Sequence, residues 1–103
     1  MTTIDAETIL PSERMRQQAL DGEVIQIHRG QAYADEGDTF TIDDTTFEIT
    51  AIEERTLGDM TDEDARAEGV ADLDQYREIL QRAHEHFEWD DDSDVVRHAF
   101  EQR

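Results

Sequence analysis

The chain has no lysine and no cysteine, and it contains a single proline. Without cysteine it can form no disulfide bond, no thiolate metal site and no cysteine nucleophile. No apolar run approaches the roughly 18 residues of a membrane span. The first residues also lack the basic start and apolar centre of a secretory signal peptide. We therefore expect a soluble, cytoplasmic protein without a membrane partner.

The chain also has few positively charged residues. All nine basic residues are arginine, there are 28 acidic residues, and the formal net charge is -19 over 103 residues. Such a charge makes a folded domain repel itself strongly unless salt screens it, and at 1 M salt the Debye length falls to roughly 3 Å. The composition therefore predicts a protein adapted to molar intracellular salt, as in an extreme halophile.

The acidity also bears on the choice of partner. A negative domain is a poor electrostatic match for nucleic acid. In molar salt, however, counterion release contributes little, and binding depends on fitted contacts instead. The charge thus disfavours a general electrostatic RNA binder but leaves a local, arginine-lined pocket open.

The length and the apolar pattern predict one folded domain over residues 1–103. A chain of this size buries on the order of 60–70% of its unfolded surface, which is enough for a core without cross-links. Helical spacing follows Pro11, and alternation of period two begins at Glu23, with Ile25, Ile27 and Arg29 on one strand face and Val24, Gln26 and His28 on the other.

The rest of the chain mixes strands and helices. Asp43-Asp44 is typical of a tight reversal between strands at residues 39–42 and 46–52, which predicts a hairpin. Thr61 and Asp64 fit a capping box for a short helix that ends at Gly69, and Asp72 caps a longer helix. A last strand is expected over residues 95–100. This order predicts an α+β fold with a small curled sheet.

An ordered set of short motifs carries a family resemblance over residues 10–100. The chain is similar to ASCH domains (activating signal cointegrator homology), which belong to the PUA-like superfamily. The resemblance rests on Gly22, Arg29-Gly30, Gly37-Asp38, Phe47-Glu48-Ile49-Thr50, Leu57-Gly58-Asp59, Glu68-Gly69, His86-Phe87-Glu88-Trp89 and a closing segment at residues 95–100. It implies a small PUA-like β-barrel with flanking helices, a cleft on one side, and an association with RNA.

The family signature G-x-K-x-x-E-x-R falls on residues 22–29, where Gly22 and Arg29 match. The lysine position is Val24 and the glutamate position is Ile27. Some small members are amidohydrolases that remove the acetyl group from acetylated cytidine nucleosides, with a threonine at the position of Ile27, a lysine nearby and a glutamate that corresponds to Glu68. Valine and isoleucine supply neither nucleophile nor base, so these two residues speak against that chemistry here. Hydrolysis by another arrangement stays open.

The resemblance and the residue types together predict a ligand site. We expect Arg29 to donate hydrogen bonds to the ligand. Glu68 lies at a helix end where its charge opposes the helix dipole, so we expect it to pair with Arg29 or Arg55 across a polar recess. The predicted ligand-binding residues are Arg29, Glu68, Tyr33, Arg55, His28 and Gly22. The aromatic groups Tyr33 and His28 are the candidates for stacking on a base, whereas Trp89 is expected to close a core.

Other interpretations of the same residues remain open. Arg29 and Glu68 are also compatible with ordinary surface or rim positions. His84 and His86 point about 200° apart on a helix, so they do not predict a metal site. The histidines, including His98, do not have the spacing of zinc ligands, and the acidic run at residues 90–94 does not have the spacing of a calcium loop. We expect a monomer without cofactor or metal whose partner is RNA or a nucleotide-like ligand. The alternatives are a nucleoside amidohydrolase and a protein-interaction module without a small ligand.

Overall fold

The computed structural model describes residues 2–83 and 89–103, which form five helical segments and four strands. The helices are α1 (Ala6–Ile9), α2 (Glu13–Leu20), a 3-10 turn (Leu57–Asp59), α3 (Asp62–Ala67) and α4 (Leu73–Ala83). The strands are β1 (Gln26–Arg29), β2 (Thr39–Ile42), β3 (Thr45–Thr56) and β4 (Asp94–Gln102). The predicted α+β class is confirmed.

The four strands form one antiparallel sheet in the order β1-β4-β3-β2. Asp43 and Asp44 make the turn between β2 and β3 with φ values of 45° and 69°, the left-handed conformation that a two-residue hairpin of this kind requires. The predicted hairpin is therefore confirmed, although β3 continues well past residue 52. A β-bulge interrupts the pairing of β3 with β4 between Ile49 and Ala51.

The sheet carries a hydrophobic core on each face. The first face packs against α1 and α2, and its core includes Ile9, Leu10, Ile27, Phe40, Phe47, Ile49 and Phe100. The second face packs against α3 and α4 and contains a smaller cluster of Leu57, Met60, Ala65, Tyr76 and Val95. Successive strand residues point to opposite faces, and in the described part of the chain β4 contributes to both clusters, with Phe100 in the first and Val95 in the second.

Local signals set most helix boundaries. The Thr61 hydroxyl accepts from the Asp64 N–H at 3.3 Å, and the Asp64 carboxylate accepts from the Thr61 N–H at 3.0 Å, which confirms the predicted capping box. Asp72 accepts from the Gln75 N–H at 2.9 Å at the start of α4. The one-turn helix α1 was not predicted, and α2 begins at Glu13 after Ser12 rather than directly after Pro11.

None of the helices in the described part of the chain is long and apolar enough to cross a membrane.

Candidate functional site

Glu68 lies at the centre of a buried polar cluster on the second face of the sheet. It is the C-cap residue of α3, and its side chain is 1% exposed. Oε2 accepts from Nδ1 of His28 at 2.8 Å. Oε1 accepts from the His28 backbone N–H at 3.2 Å and from the Tyr76 hydroxyl at 3.0 Å. Three donors thus converge on one carboxylate, which is what a buried charge requires.

The partners of Glu68 are themselves shielded from water. Burial, followed by the neighbouring Glu68 carboxylate, raises the pKa of the Tyr76 hydroxyl above its ordinary value, so this group remains a hydrogen-bond donor. Nδ1 of His28 carries a hydrogen because its partner is a carboxylate. Nε2 of the same ring is buried and has no partner among the described residues. The cluster joins β1, α3 and α4.

A second polar network on the same face connects α3 with the strands. The Gln26 side chain donates to Oδ1 of Asp64 at 3.1 Å, and Arg55 donates to the same oxygen at 3.2 Å. The Arg97 guanidinium donates from Nε to Oε1 of Gln26 at 2.6 Å and from NH1 to Glu53 at 2.7 Å. These bonds fix the directions of Gln26 and Arg97 beside the open part of the sheet.

Asp64 is held as a carboxylate by this network. Partial burial raises the pKa of its carboxyl group, but hydrogen bonds from Gln26, Thr61 and Arg55 outweigh burial, so the pKa lies below its ordinary value. Asp64 is therefore an acceptor for Gln26 throughout the neutral pH range.

An open recess of about 390 Å³ lies next to Arg97. Its floor and walls include Gly22, Val24, Ile25, Thr50, Arg97 and Ala99. Ile25 is 52% exposed, one of the two large apolar side chains exposed in the described part of the chain. Thr50 is the extra residue of the bulge in β3. The recess thus combines exposed apolar surface with a guanidinium and a hydroxyl.

A wider depression of about 470 Å³ lies along the beginning of α4. Among the described residues, its lining consists of Ala71, Asp72, Asp74, Gln75 and Glu78, without an arginine or an aromatic side chain. It resembles the rest of the acidic surface, and its carboxylates do not favour the binding of an anionic or aromatic ligand.

Arg29 belongs to the first face of the sheet. Its NH1 group donates to the backbone carbonyls of Thr8 at 2.9 Å and Ile9 at 3.2 Å, at the end of α1. The guanidinium carbon lies 4.4 Å from the centroid of the Tyr33 ring, within cation–π distance. Arg29 therefore anchors α1 and packs on the loop that follows β1.

His98 extends this first-face arrangement into the interior. It is fully buried; its Nε2 accepts from the Tyr33 N–H at 3.1 Å, and its Nδ1 donates to the Val96 carbonyl at 3.1 Å. Burial lowers the pKa of His98 below its ordinary value, so the ring is neutral at pH 7. The ring holds the loop containing Tyr33.

The predicted convergence of Arg29 and Glu68 is wrong. His28 and Arg29 are successive residues of β1, and their side chains leave the strand on opposite faces: His28 reaches Glu68, whereas Arg29 reaches α1. The sheet therefore lies between the two groups. Arg55, the other expected partner of Glu68, pairs with Asp64 instead.

The remaining predicted residues fall in different places. Gly22 lines the recess and has a φ of +81° at the end of α2. The His28 side chain is 1% exposed, so its ring is not available for stacking in this arrangement. Tyr33 is half-buried, and the Arg29 guanidinium covers one side of its ring.

The sequence does not single out Arg97, which lines the recess, or Gln26, which accepts a hydrogen bond from Arg97. Arg97 belongs to the predicted last strand and Gln26 to a predicted strand face. The alternation that placed Gln26 with His28 was the available signal, because both residues occur on the second face. Nothing in the sequence revealed the bulge that exposes Thr50.

Trp89 packs against the second core, as expected, with its Nε1 donating to Asp91 at 2.8 Å and Arg77 lying 4.8 Å from its ring centroid. His84 and His86 lie outside the described residues. Within residues 2–83 and 89–103, no three histidine or carboxylate side chains are grouped as metal ligands would be.

Comparison with known proteins identifies the fold. No family model matches the sequence, and no curated protein is significantly similar to it. The crystal structure of an ASCH domain from Lactobacillus crispatus JV V101 superposes with a TM-score of 0.68 at 15% identity, covering 98% of this chain and 78% of that one. Protein EF3133 from Enterococcus faecalis V583, described with the family model DUF984, superposes with a TM-score of 0.65 at 17% identity, covering 97% and 74%.

These likenesses extend over nearly the whole chain. They confirm the predicted α+β fold with flanking helices, and the chain has the same fold as the crystallised ASCH domain.

Proposed function

We propose that this chain is an ASCH-type module that binds a nucleoside unit, either in a free nucleotide-like molecule or in RNA, in the recess beside Arg97. The observation that carries the proposal is the recess itself, an open space of about 390 Å³ in which exposed apolar surface adjoins a guanidinium. Small-molecule sites are typically concave spaces of roughly 300–1,000 Å³ with mostly apolar walls and a few placed polar groups.

The lining suits a flat, partly polar ligand. Ile25 and Ala99 offer apolar contact to the face of a base, and Arg97 and Thr50 offer hydrogen bonds to its edge. Gly22 adds no side chain at its end of the recess; a Cβ there would meet nothing within 4 Å. A single nucleoside unit therefore has room to enter beside the backbone.

The charge of the molecule favours a small or locally bound ligand over a long polyanion. With a net charge of -19, the surface repels phosphate groups wherever they approach at low salt. In molar salt this repulsion is screened, and short-range contacts in the recess decide affinity. RNA binding in this account is the binding of one exposed base.

The amidohydrolase alternative finds less support. Val24 and Ile27, at the positions where a lysine and a threonine would be needed, are apolar and 1% and 5% exposed. Glu68 already accepts from three donors in the buried cluster. The hydroxyl beside it, on Tyr76, has a raised pKa and is a poor nucleophile.

Blocking the recess tests the proposal. Thr50→Trp places an indole at the bulge and should weaken the binding of uridine, cytidine and short single-stranded RNA about tenfold or more, a loss of about 1.4 kcal/mol or more. Binding is measured by NMR titration in molar KCl, with acetylated cytidine included as a probe for acetate release.

The matched control is Thr41→Trp, an exposed threonine on β2 away from the recess. It should leave every affinity unchanged. Equal binding by wild type and Thr50→Trp would refute the recess, and the absence of binding by any nucleoside or RNA would favour a protein-interaction module.

A further inference from the structure

Two hydrogen bonds hold the Arg97 guanidinium at the edge of the recess. Its Nε donates to Gln26 Oε1 at 2.6 Å, and its NH1 donates to Glu53 Oε1 at 2.7 Å. A guanidinium has five N–H donors in a planar fork. The remaining nitrogen, NH2, has no acceptor among the described residues. Arg97 also lines the recess.

The direction of the Gln26 amide is determined by Asp64. Gln26 is 3% exposed, and its Nε2 donates to Asp64 Oδ1 at 3.1 Å. An amide has one acceptor oxygen and one donor nitrogen. Because the carboxylate of Asp64 takes the nitrogen, the oxygen of Gln26 faces Arg97. Asp64 is itself fixed by Arg55 and by the capping box with Thr61.

The charges around Arg97 disfavour an anionic ligand. Glu53 is paired with Arg97, and Glu101 also lines the recess. The positive charge of Arg97 is therefore opposed by two carboxylates. A phosphate would meet net negative charge there, whereas an uncharged acceptor needs only a directed N–H donor.

We infer that Arg97 is the donor that recognises an uncharged carbonyl of the ligand, such as that of a pyrimidine base, and that Gln26 and Asp64 are the residues that position it. This inference rests on the proposed function and adds to it the kind of ligand group, an uncharged carbonyl, that the site recognises. It assigns a role to Gln26 that its burial alone does not explain, since an apolar residue would fill the same space.

The first test compares uridine with its 5′-monophosphate in molar KCl. The two should bind with affinities within about threefold of each other, because no charge-assisted phosphate contact adds to the affinity of the monophosphate. Binding of the monophosphate at least tenfold tighter would overturn the assignment of a neutral acceptor.

The second test is a double-mutant cycle. Arg97→Met should weaken uridine binding roughly tenfold, and Gln26→Met, which keeps the volume but removes the acceptor, roughly threefold to tenfold. The double variant should bind no more weakly than Arg97→Met, because Gln26 acts through Arg97. Arg103→Met, which removes an exposed arginine just after β4, is the matched control and should bind like the wild type.

The outcomes separate the two proposals. Additive losses, or full binding by Arg97→Met while uridine still perturbs Gly22 and Thr50, would overturn the role of Arg97 and leave the recess standing. If no nucleoside perturbs the recess in the folded wild type, both proposals fall. Amide spectra of each variant establish that the fold is retained.

Discussion

At the scale of single residues, Glu68 is the group on which most local structure depends. Its carboxylate accepts from the backbone and ring of His28 and from the hydroxyl of Tyr76, all within the interior. It thereby satisfies an edge amide of β1 and links that strand to α3 and α4. A buried carboxylate with three donors is stable only while all of its partners are present.

Removing this carboxylate should destabilise the protein strongly. Glu68→Ala leaves three buried donors without an acceptor, and we expect the free energy of unfolding to fall by about 3 kcal/mol or more. Urea denaturation in molar KCl measures this change. Glu63→Ala, which removes an exposed glutamate from the same helix, should change stability by about 0.5 kcal/mol or less.

A loss of less than about 1 kcal/mol in Glu68→Ala would show that the cluster is not a stabilising element.

The residue scale is also where sequence reasoning was least complete. The family resemblance pointed to Arg29 and Glu68 but gave no contact between them, and pairing them ignored the alternation of β1. His28 and Gln26 were already expected on the strand face opposite Arg29, and that face is the one that meets α3. The identity of the partners depended on helix packing, which periodicity does not specify.

At the scale of elements, the end of α3 depends on the backbone of Gly69. Gly69 has a φ of +81°, and a Cβ there would lie 3.0 Å from Nε2 of Gln18 and 3.1 Å from Cγ2 of Val24. The left-handed conformation costs an L-residue about 1–2 kcal/mol. The tight turn places Glu68 inside the molecule and brings Ala67 to Ile25, whose N–H donates to the Ala67 carbonyl at 2.8 Å.

Gly69→Ala should therefore lower the free energy of unfolding by about 1–2 kcal/mol, with a further contribution from the close contacts. Thermal unfolding in molar KCl provides the measurement. The control is Gly30→Ala, at a glycine without a positive φ and with nothing within 4 Å of the added Cβ. It should be neutral or stabilising by up to about 1 kcal/mol; equal losses in both variants would contradict the account of Gly69.

Elements with strong local signals were predicted well. The hairpin turn at Asp43-Asp44 and the capping box of Thr61 and Asp64 depend on neighbouring residues alone, and both occur. The one-turn helix α1 and the bulge at Thr50 were not predicted, because they depend on contacts with distant segments. Arg16 and Arg29 bind carbonyls near the end of α1, and β4 sets the register of the bulge.

At the scale of the whole molecule, charge should control stability. The net charge of -19 destabilises the compact state through self-repulsion when salt is low. The midpoint of thermal unfolding should therefore rise steeply between 0.1 M and molar KCl, as the Debye length falls from about 10 Å to roughly 3 Å. Circular dichroism at a series of KCl concentrations measures the effect.

Sucrose at matched water activity is the control, because it favours burial without screening charge. It should restore only a minor part of the stability lost at low salt. A midpoint independent of KCl concentration would contradict the predicted adaptation to molar salt.

The central claim is that the recess beside Arg97 receives a nucleoside unit. Its most direct test is a map of backbone amide shifts of the wild-type protein on addition of uridine, cytidine and short RNA in molar KCl. The account predicts shifts that cluster at Gly22, Ile25, Thr50 and residues 97–99. Shifts confined to the loop at Arg29 and Tyr33, or no shifts at all, would contradict it.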